Sequence, residues 1–569
     1  MPQPSEVYDV AETKPSQEIP DAGLPMSPKW DPEKLAAEKE QLTLLASAPL
    51  GKKIGGYVRR TGPGLLQSAM TLGAGSATAS VLAGASFGYK LLWVQPVAMF
   101  LGVMMFAAMS NIVLTTQERP YKSFGRQVGG FLVLLWALGT VFASVIWHFP
   151  QYTLLAGAGR DIASMVQVSV EEGGEVPAWA AQSPDGQYRL KVDNGGEIPA
   201  WVAKANDALP WGIKINDKIT NLGYLISFGV GAAFLAMNIL MVFSYGKGVK
   251  GVKIYERFLR TMIMLVILFF LLVVVLNFNR IEWLELFRGF TGYYGLPKNA
   301  EGVVESATYL QVLGMLGAAV GINMTFLYPY SLLAKGWGKE HKTLAKWDLV
   351  MTMFIPFSIV TSLIIMAMTV TGVYDGGDAV RQGLAPLDAA NSFNGIPGGK
   401  IIFCLGLMGM CGGAISAHMV ACGFTMCEMF KLKMTHNRFR LFALTPAIGV
   451  LGVVVPLPMW FPVIASAICC ILLPIAYLII IILNNKRGFI GEAVGHGFKR
   501  LLNNLILLAA LCAVTFGAGL SVRNLYLKFF ADPPAASAPA AAPTTETPAD
   551  APANAQTDTK SADAPAAEK

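Results

Sequence analysis

The sequence predicts an all-α, polytopic membrane protein, and its composition is the first reason. Of the 569 residues, 54% are hydrophobic and only 14% are charged, whereas soluble globular chains carry about 25% charged residues. A helix that crosses about 30 Å of hydrocarbon at 1.5 Å per residue needs roughly 20 apolar residues, so the chain has length for about ten to twelve spans. This composition excludes a soluble enzyme, and we expect no catalytic residues.

The second reason is the distribution of apolar and basic residues. Eleven apolar stretches lie at 61–85, 90–116, 128–157, 219–245, 258–277, 308–333, 348–373, 398–427, 441–457, 460–484 and 501–526. The ninth is short, so ten or twelve spans stay open. Alternate connections hold the basic clusters, from Lys52 and Arg59 before the first span to Lys499 and Arg500 before the last. The positive-inside bias makes that side cytoplasmic.

An odd number of spans places the N-terminus in the cytoplasm and the C-terminus outside, most simply in the cell (inner) membrane. The net charge of +7 then comes from cytoplasmic loops, and no nucleic-acid partner is expected. The expected partners are the lipid bilayer and a small solute or metal cation, with no cofactor.

Both ends of the chain are polar or of low complexity. Residues 1–55 are predicted to form a mostly disordered cytoplasmic tail, in which Pro32 can open a short helix that runs to about Leu45. Residues 531–569 are almost entirely Ala, Pro, Thr, Asp and Glu and are predicted to be disordered. The transmembrane domain is therefore placed at 56–527.

A long outer loop at 167–218 contains an internal duplication. The phrase Gly-Gly-Glu-Val/Ile-Pro-Ala-Trp occurs at 173–179 and again at 195–201, and each copy follows an alternating apolar run. This pattern predicts two small β-containing units. An insertion without a role of its own is the simpler interpretation, and a partner-binding or gating role is the alternative.

Two spans contain helix-breaking sequences in their interiors. The first span has Gly73 and Gly75 within Met70–Ala77, and the sixth has Gly321 and Pro329 around Asn323. Broken helices survive in a membrane only where protein or a water-filled cavity satisfies the freed backbone groups. A matched pair of interrupted spans indicates the midplane site of an inverted-repeat transporter, although glycines used only for packing are the alternative.

At these residues the chain resembles the Nramp family of divalent-metal transporters. The similarity begins at Gly62-Pro63-Gly64-Leu65-Leu66, continues through 83–93, and returns more weakly at 328–331, Asp348, 423–430, 473–474 and 490–492. The resemblance implies a LeuT-type fold of two inverted five-helix repeats with an eleventh helix appended. It also implies a central substrate site formed by the first and sixth helices.

The family's metal-site motifs are altered in this chain. Gly73-Ala74-Gly75-Ser76 stands where the family has Asp-Pro-Gly-Asn, and Asn323-Met324-Thr325 stands where it has Met-Pro-His. The proton-pathway carboxylates of the third span align with neutral residues, although His148 lies nearby. No Asp or Glu lies in the interior of any predicted span, since Asp348 is at a helix end, so a bare divalent ion would have no counter-charge, at a cost of many kcal/mol.

Three functions remain open. The first is transport of a hard, partly hydrated cation such as Mg²⁺, with Ser76, Asn323 and Thr325 as neutral oxygen ligands for the metal. The second is transport of a small carboxylate or amino acid at the Gly73–Ser76 turn, where backbone N–H groups and the helix dipole favour an anion. The third is a receptor or scaffold that transports nothing.

The predicted binding residues divide by role. Gly73 and Gly75 open the backbone, Ser76, Asn323 and Thr325 offer oxygen atoms, and Tyr328 is an outer member of the site. The two intramembrane histidines, His148 and His418, are candidates for a proton relay. Neutral packing is the alternative role for each histidine.

Overall fold

The structure is a computed structural model. It describes residues 23–28, 32–170, 174–183, 186–193, 198–209, 214–299, 302–376, 384, 386–390, 393, 398–455 and 460–526, with no side-chain description between 456 and 470. Most of both tails lies outside these residues, including all of 531–569. The same holds for Gly173 in the first copy of the duplicated phrase and for Gly195, Gly196 and Glu197 in the second.

Helices dominate the described part of the chain. In chain order the elements are α1 (Pro32–Ser47), α2 (Leu50–Val58), α3 (Pro63–Thr71), α4 (Ala74–Phe87), α5 (Val94–Thr116), α6 (Pro120–Val128), α7 (Gly130–Ala163), β1 (Ala180–Gln182), β2 (Tyr188–Leu190), α8 (Ala200–Ala208), α9 (Asn221–Tyr245), α10 (Val249–Leu276), α11 (Trp283–Thr291), α12 (Ser306–Ala319), α13 (Ile322–Ala334), α14 (Lys342–Leu349), α15 (Ile355–Val370), α16 (Pro386–Ala390), α17 (Gly399–Met429), α18 (His436–Ala443), α19 (Trp460–Asn484), α20 (Arg487–Ile490) and α21 (Gly497–Tyr526). A π-helical turn at Val350–Phe354 joins α14 to α15, and a 3₁₀ helix at Thr445–Val453 follows α18.

Eight helical stretches of the described residues are long and apolar enough to cross a membrane. They are Val94–Thr116, Gly130–Ala163, Asn221–Tyr245, Val249–Leu276, Ser306–Ala334, Lys339–Val370, Gly399–Met429 and Gly497–Arg523. A ninth is obtained if Ile471–Asn484 and Arg487–Ala493, which meet at a bend of 71°, form one span. The figure of eleven spans stays a prediction.

Both predicted interruptions are present. The first span consists of α3 and α4, which are separated by Leu72 and Gly73, and the sixth consists of α12 and α13, which are separated by Val320 and Gly321. Gly73, Val320 and Gly321 have extended backbone angles that any residue adopts. The need for glycine at 73 is therefore steric: a Cβ atom there would lie 2.6 Å from Gln151 Nε2 and 3.0 Å from Ala414 Cβ.

A closely packed pair, α7 and α17, forms one wall beside the interruptions. The 3₁₀ helix at Thr445–Val453 packs on α7 through glycines, because a Cβ at Gly449 would come within 2.3 Å of His148 Cβ. A Cβ at Gly452 would come within 2.4 Å of the Phe149 carbonyl oxygen. Such contacts fix the helices at short distances and hold the wall rigid.

The N-terminal region is more ordered than predicted. The helix expected to begin at Pro32 is present as α1, and α2 follows it up to Val58. Leu24 and Met26 are buried in the main hydrophobic core, and Ser27 Oγ donates a hydrogen bond to the Leu333 carbonyl at 2.6 Å. Order therefore extends beyond the expected helix to 23–28 and 46–55, because apolar contacts with the helix ends offset the entropy of ordering.

Among its described residues, the outer loop has one two-stranded sheet and isolated bridges at Gln167–Arg189 and Asp193–Ile219. Strands β1 and β2 pair antiparallel, and Gln167 bridges to Arg189 on the other side of β2. Trp179 in the first copy directly precedes β1, whereas Trp201 in the second copy lies in the first turn of α8. Trp201 Nε1 donates to Asn221 Oδ1 at 3.0 Å, so the copies differ because their tertiary partners differ.

The N-terminus of α3 is held by one buried carboxylate. Asp348 on α14 accepts hydrogen bonds from the backbone N–H groups of Gly62 at 2.8 Å and Gly64 at 2.6 Å. Beside it, Lys335 Nζ donates to Glu256 Oε1 at 2.6 Å. The first N–H groups of a helix have no partner within the helix, so Asp348 supplies a cap from a neighbouring span.

We predict that Asp348→Ala lowers the free energy of unfolding by roughly 1–3 kcal/mol for each orphaned N–H group. Asp348→Asn keeps one carbonyl acceptor, so its loss should be smaller. The melting temperature in detergent measures both, with Asp207→Ala on the exposed surface of α8 as the control. Equal melting temperatures for wild type and Asp348→Ala would contradict the capping role.

Candidate functional site

The two interruptions are joined by a hydrogen bond at the end of α3. The Thr71 hydroxyl donates to the carbonyl oxygens of Ala318 at 2.8 Å and Ala319 at 3.0 Å. These are the last carbonyls of α12, which have no partner within their own helix. The breaks in the first and sixth spans therefore face each other across a single side chain.

The Gly73–Ser76 turn is closed on itself. Gly73 N–H donates to Ser76 Oγ at 3.2 Å, and the Ser76 hydroxyl donates to the Gly73 carbonyl at 3.1 Å. The N–H of Ala74 donates to Gln151 Oε1 at 2.9 Å, so an amide from α7 caps the start of α4. In this conformation Ser76 thus serves the local backbone.

The second break is organised around Asn323. Its Oδ1 accepts from the N–H of Met324 at 3.0 Å, and its Nδ2 lies 3.4 Å from Ser144 Oγ on α7. Thr325 points elsewhere: its hydroxyl donates to the Ile322 carbonyl at 2.6 Å and accepts from Trp136 Nε1 at 2.7 Å. The structure brings Asn323 to the central wall and ties Thr325 to α7 farther along α13.

Tyr328 lies in the interior of α13. Its ring packs against Phe106 of α5, edge to face, with centroids 5.1 Å apart. Gln67 of the neighbouring helix α3 bonds to the backbone of α13. With its amide oriented so that both bonds form, Gln67 donates to the Met324 carbonyl at 3.2 Å and accepts from Tyr328 N–H at 3.3 Å. Gln67 therefore connects the first half of one broken span to the second half of the other.

The two intramembrane histidines are neighbours. The rings of His148 on α7 and His418 on α17 have centroids 5.5 Å apart, and both side chains are buried. His148 lies on the same face of α7 as Ser144 and Gln151, four residues after one and three before the other. The pair therefore lies on the wall between the contacts to Asn323 and to Ala74.

Sequence reasoning missed several residues that build this centre. Gln151 caps α4, Gln67 links α3 to α13, Thr71 joins the breaks, and Trp136 binds Thr325. A signal existed for the two glutamines, because amides in the interior of apolar spans need hydrogen-bond partners. Nothing in the sequence indicated that their partners are backbone groups beside the two helix breaks.

The chain matches the sequence family described as natural resistance-associated macrophage protein-like over residues 220–518, which is more than half of its length. It belongs to the Nramp family. A search of curated proteins finds no match.

Solved structures agree with this assignment at the level of fold. A mutant of the manganese transporter of Eremococcus coleocola aligns with a TM-score of 0.58 at 13% identity, over 86% of this chain and 91% of that chain. The same transporter in complex with an aromatic bis-isothiourea substituted compound aligns with a TM-score of 0.56 at 12% identity, over 83% and 88%. The fold is LeuT-type, and the chain is an integral, multi-pass membrane transporter and not an enzyme.

The centre of this Nramp protein is poor in charge. Among the described residues there is no group of three or more His, Cys, Asp or Glu side chains that could hold a metal ion. The polar atoms at the breaks are hydroxyls, amides and backbone groups. A solute at this position therefore meets dipoles, and the His148–His418 pair lies on the same wall.

We predict that Thr71→Val destabilises the protein by roughly 1–3 kcal/mol, because it removes the one hydroxyl proton that the last two carbonyls of α12 share. Thr361→Val is the matched control, since that buried hydroxyl bonds only to the Phe357 carbonyl of its own helix, at 2.7 Å. The melting temperatures of the two variants in detergent, each compared with wild type, test this prediction. An equal drop for both variants would show that Thr71 does not join the breaks.

Proposed function

We propose that this Nramp-family protein is a secondary transporter that moves a divalent metal cation by alternating access. The observation that carries the proposal is the pair of helix breaks that meet at Thr71 and Ala318–Ala319 in the interior of the protein. Broken helices at the midplane form the substrate site in transporters built from inverted repeats. The manganese transporter with the same fold supports a metal as the class of substrate.

The cation we favour is hard and keeps part of its water shell, as Mg²⁺ does. Mg²⁺ dehydrates reluctantly and is held by few protein groups together with several waters. The groups near the breaks are neutral oxygen atoms, from Ser76, Asn323 and Gln151. Without a carboxylate, a fully dehydrated divalent ion would be costly to bury, whereas a hydrated one shares its charge with water.

Binding requires these oxygen atoms to exchange partners. The Ser76 hydroxyl is bonded to Gly73, and the Gln151 oxygen is bonded to Ala74 N–H. A cation would have to draw both toward itself and free the N–H groups of the turn. We therefore infer weak binding, which suits a solute that must also be released.

A carboxylate or amino acid is the alternative substrate. The N–H groups at the start of α4 would attract it, but Gln151 Oε1 already accepts from Ala74 N–H at 2.9 Å. The amide oxygen thus occupies the position that an anion would take. This contact favours the cation, and proton coupling through His148 and His418 stays a prediction from the sequence.

We also propose that the N-terminus is cytoplasmic and that the protein lies in the cell (inner) membrane. The basic connections support this orientation, because Arg119, Lys335 and Arg438 all fall on the side that carries the N-terminal helices by chain order. The duplicated outer loop then lies outside the cell.

Flux measurements test the proposed substrate class. Purified protein in proteoliposomes should admit Mg²⁺, and to a lesser extent Mn²⁺, into vesicles that contain a fluorescent indicator. A thermal-shift series with divalent cations and with amino acids complements the flux. Stabilisation by carboxylates alone, with no cation flux, would overturn the metal proposal.

We predict that Gly73→Ala reduces cation flux at least about tenfold, because its Cβ would collide with Gln151 and Ala414 and displace the amide from the turn. Gly314→Ala on α12, the first half of the sixth span, is the control, because no atom lies within 4 Å of a Cβ built there. Initial flux rates at equal protein density provide the measurement. Equal rates for both variants would exclude a substrate site at Gly73.

A further inference from the structure

A buried imidazole pair lies on the wall of the site. One ring nitrogen of His148 has the Ser144 backbone as its hydrogen-bond partner, whereas His418 Nδ1 has none among the residues that the structure describes. Both residues are almost completely buried. Buried polar atoms are nearly always paired, so the nitrogens left unpaired at this contact need an explanation.

We propose that His148 and His418 together bind a borderline transition-metal ion, of the class of Co²⁺, Ni²⁺ or Zn²⁺. Neutral imidazole is the common protein ligand for these ions, and it is a poor ligand for hard ions such as Mg²⁺. The site is therefore distinct in chemistry from the neutral oxygen atoms at the helix breaks.

The spacing of the rings fits one shared ion. A metal–nitrogen distance of about 2.1 Å places a ring centroid about 3.2 Å from the metal, and a tetrahedral angle then separates two centroids by about 5.2 Å. The observed separation is 5.5 Å, with the ring planes inclined by 39°.

The two helices that carry the histidines hold the pair in place. Helices α7 and α17 pack closely on each other, and the glycine contact at Gly449 fixes His148 Cβ from a third element. Preorganised ligands lose little entropy on binding. The other described aromatic group near His148 is Tyr152, at 5.9 Å between centroids.

The pair is close to the central break. Ala414, one turn before His418, and Gln151, one turn after His148, both approach Gly73. An ion that reached the break would thus be within about one helical turn of the imidazoles. This entry route rests on the proposed function, whereas binding itself does not require transport.

Water would complete the metal shell and share the charge of the ion, as it does for the hydrated cation at the breaks. The described residues provide no third His, Cys, Asp or Glu for it. A site with two protein ligands and open positions binds exchangeably, unlike closed structural sites that use four ligands. An ion held there would stand beside the route of the hard cation and compete with its passage.

Metal binding in detergent tests this assignment without any flux measurement. Isothermal titration with Co²⁺, together with the visible absorption of the bound ion, should show one site in wild type. His148→Gln and His418→Gln should each weaken binding at least about tenfold, since each removes a ligand. The control is His436→Gln, an exposed residue at the start of α18, which should bind as wild type does.

The outcomes separate this inference from the proposed function. Unchanged Co²⁺ affinity in both variants, with melting temperatures like wild type, would overturn the pair as a metal site and leave it a packing contact. Co²⁺ binding that depends on both histidines, without Mg²⁺ or Mn²⁺ flux in proteoliposomes, would support the pair and overturn the proposed cation substrate. Loss of folding in one variant is resolved by the other, because each histidine is tested alone.

Discussion

The rest of the structure depends on how two interrupted helices satisfy their backbones inside a membrane. Lipid offers no hydrogen bonds, so each free N–H and C=O group at a break must find a partner in the protein. Here the Thr71 hydroxyl takes two carbonyls of α12, and the Gln151 amide takes an N–H of α4. Both donors and acceptors are neutral. The breaks are thus stabilised without any charge, which shapes what the centre can bind.

The positions of the glycines within apolar spans predicted the two helix interruptions. Gly73 and Gly321 mark them, and the structure places the breaks at Leu72–Gly73 and Val320–Gly321. The family resemblance at Gly62–Leu66 supplied the fold. These features are local in sequence, and local signals are those that a single chain reports best.

The long-range partners could not be predicted. Gln151 is 77 residues away from Ala74, and nothing in either segment reports that the two meet. The duplicated loop makes the same point, because Trp179 precedes a strand and Trp201 begins a helix although the surrounding phrase is nearly identical. Tertiary contacts decided both cases. The N-terminal segment was misjudged because its polar composition hides Leu24 and Met26, which reach the core.

The altered motif is best understood as an exchange of positions between helices. The family resemblance places a carboxylate at residue 73, and a side chain there would displace the Gln151 amide, whose Nε2 would lie 2.6 Å from the added Cβ. Glycine therefore removes a charge from the unwound segment and admits an amide from the rigid wall. In the proposed site an oxygen atom is kept, but it comes from α7 and not from the helix break. A charged ligand on the unwound segment favours a dehydrated ion, because it balances the charge of that ion. A neutral ligand on α7 suits an ion that keeps its water, because the water then shares the charge that the protein does not balance.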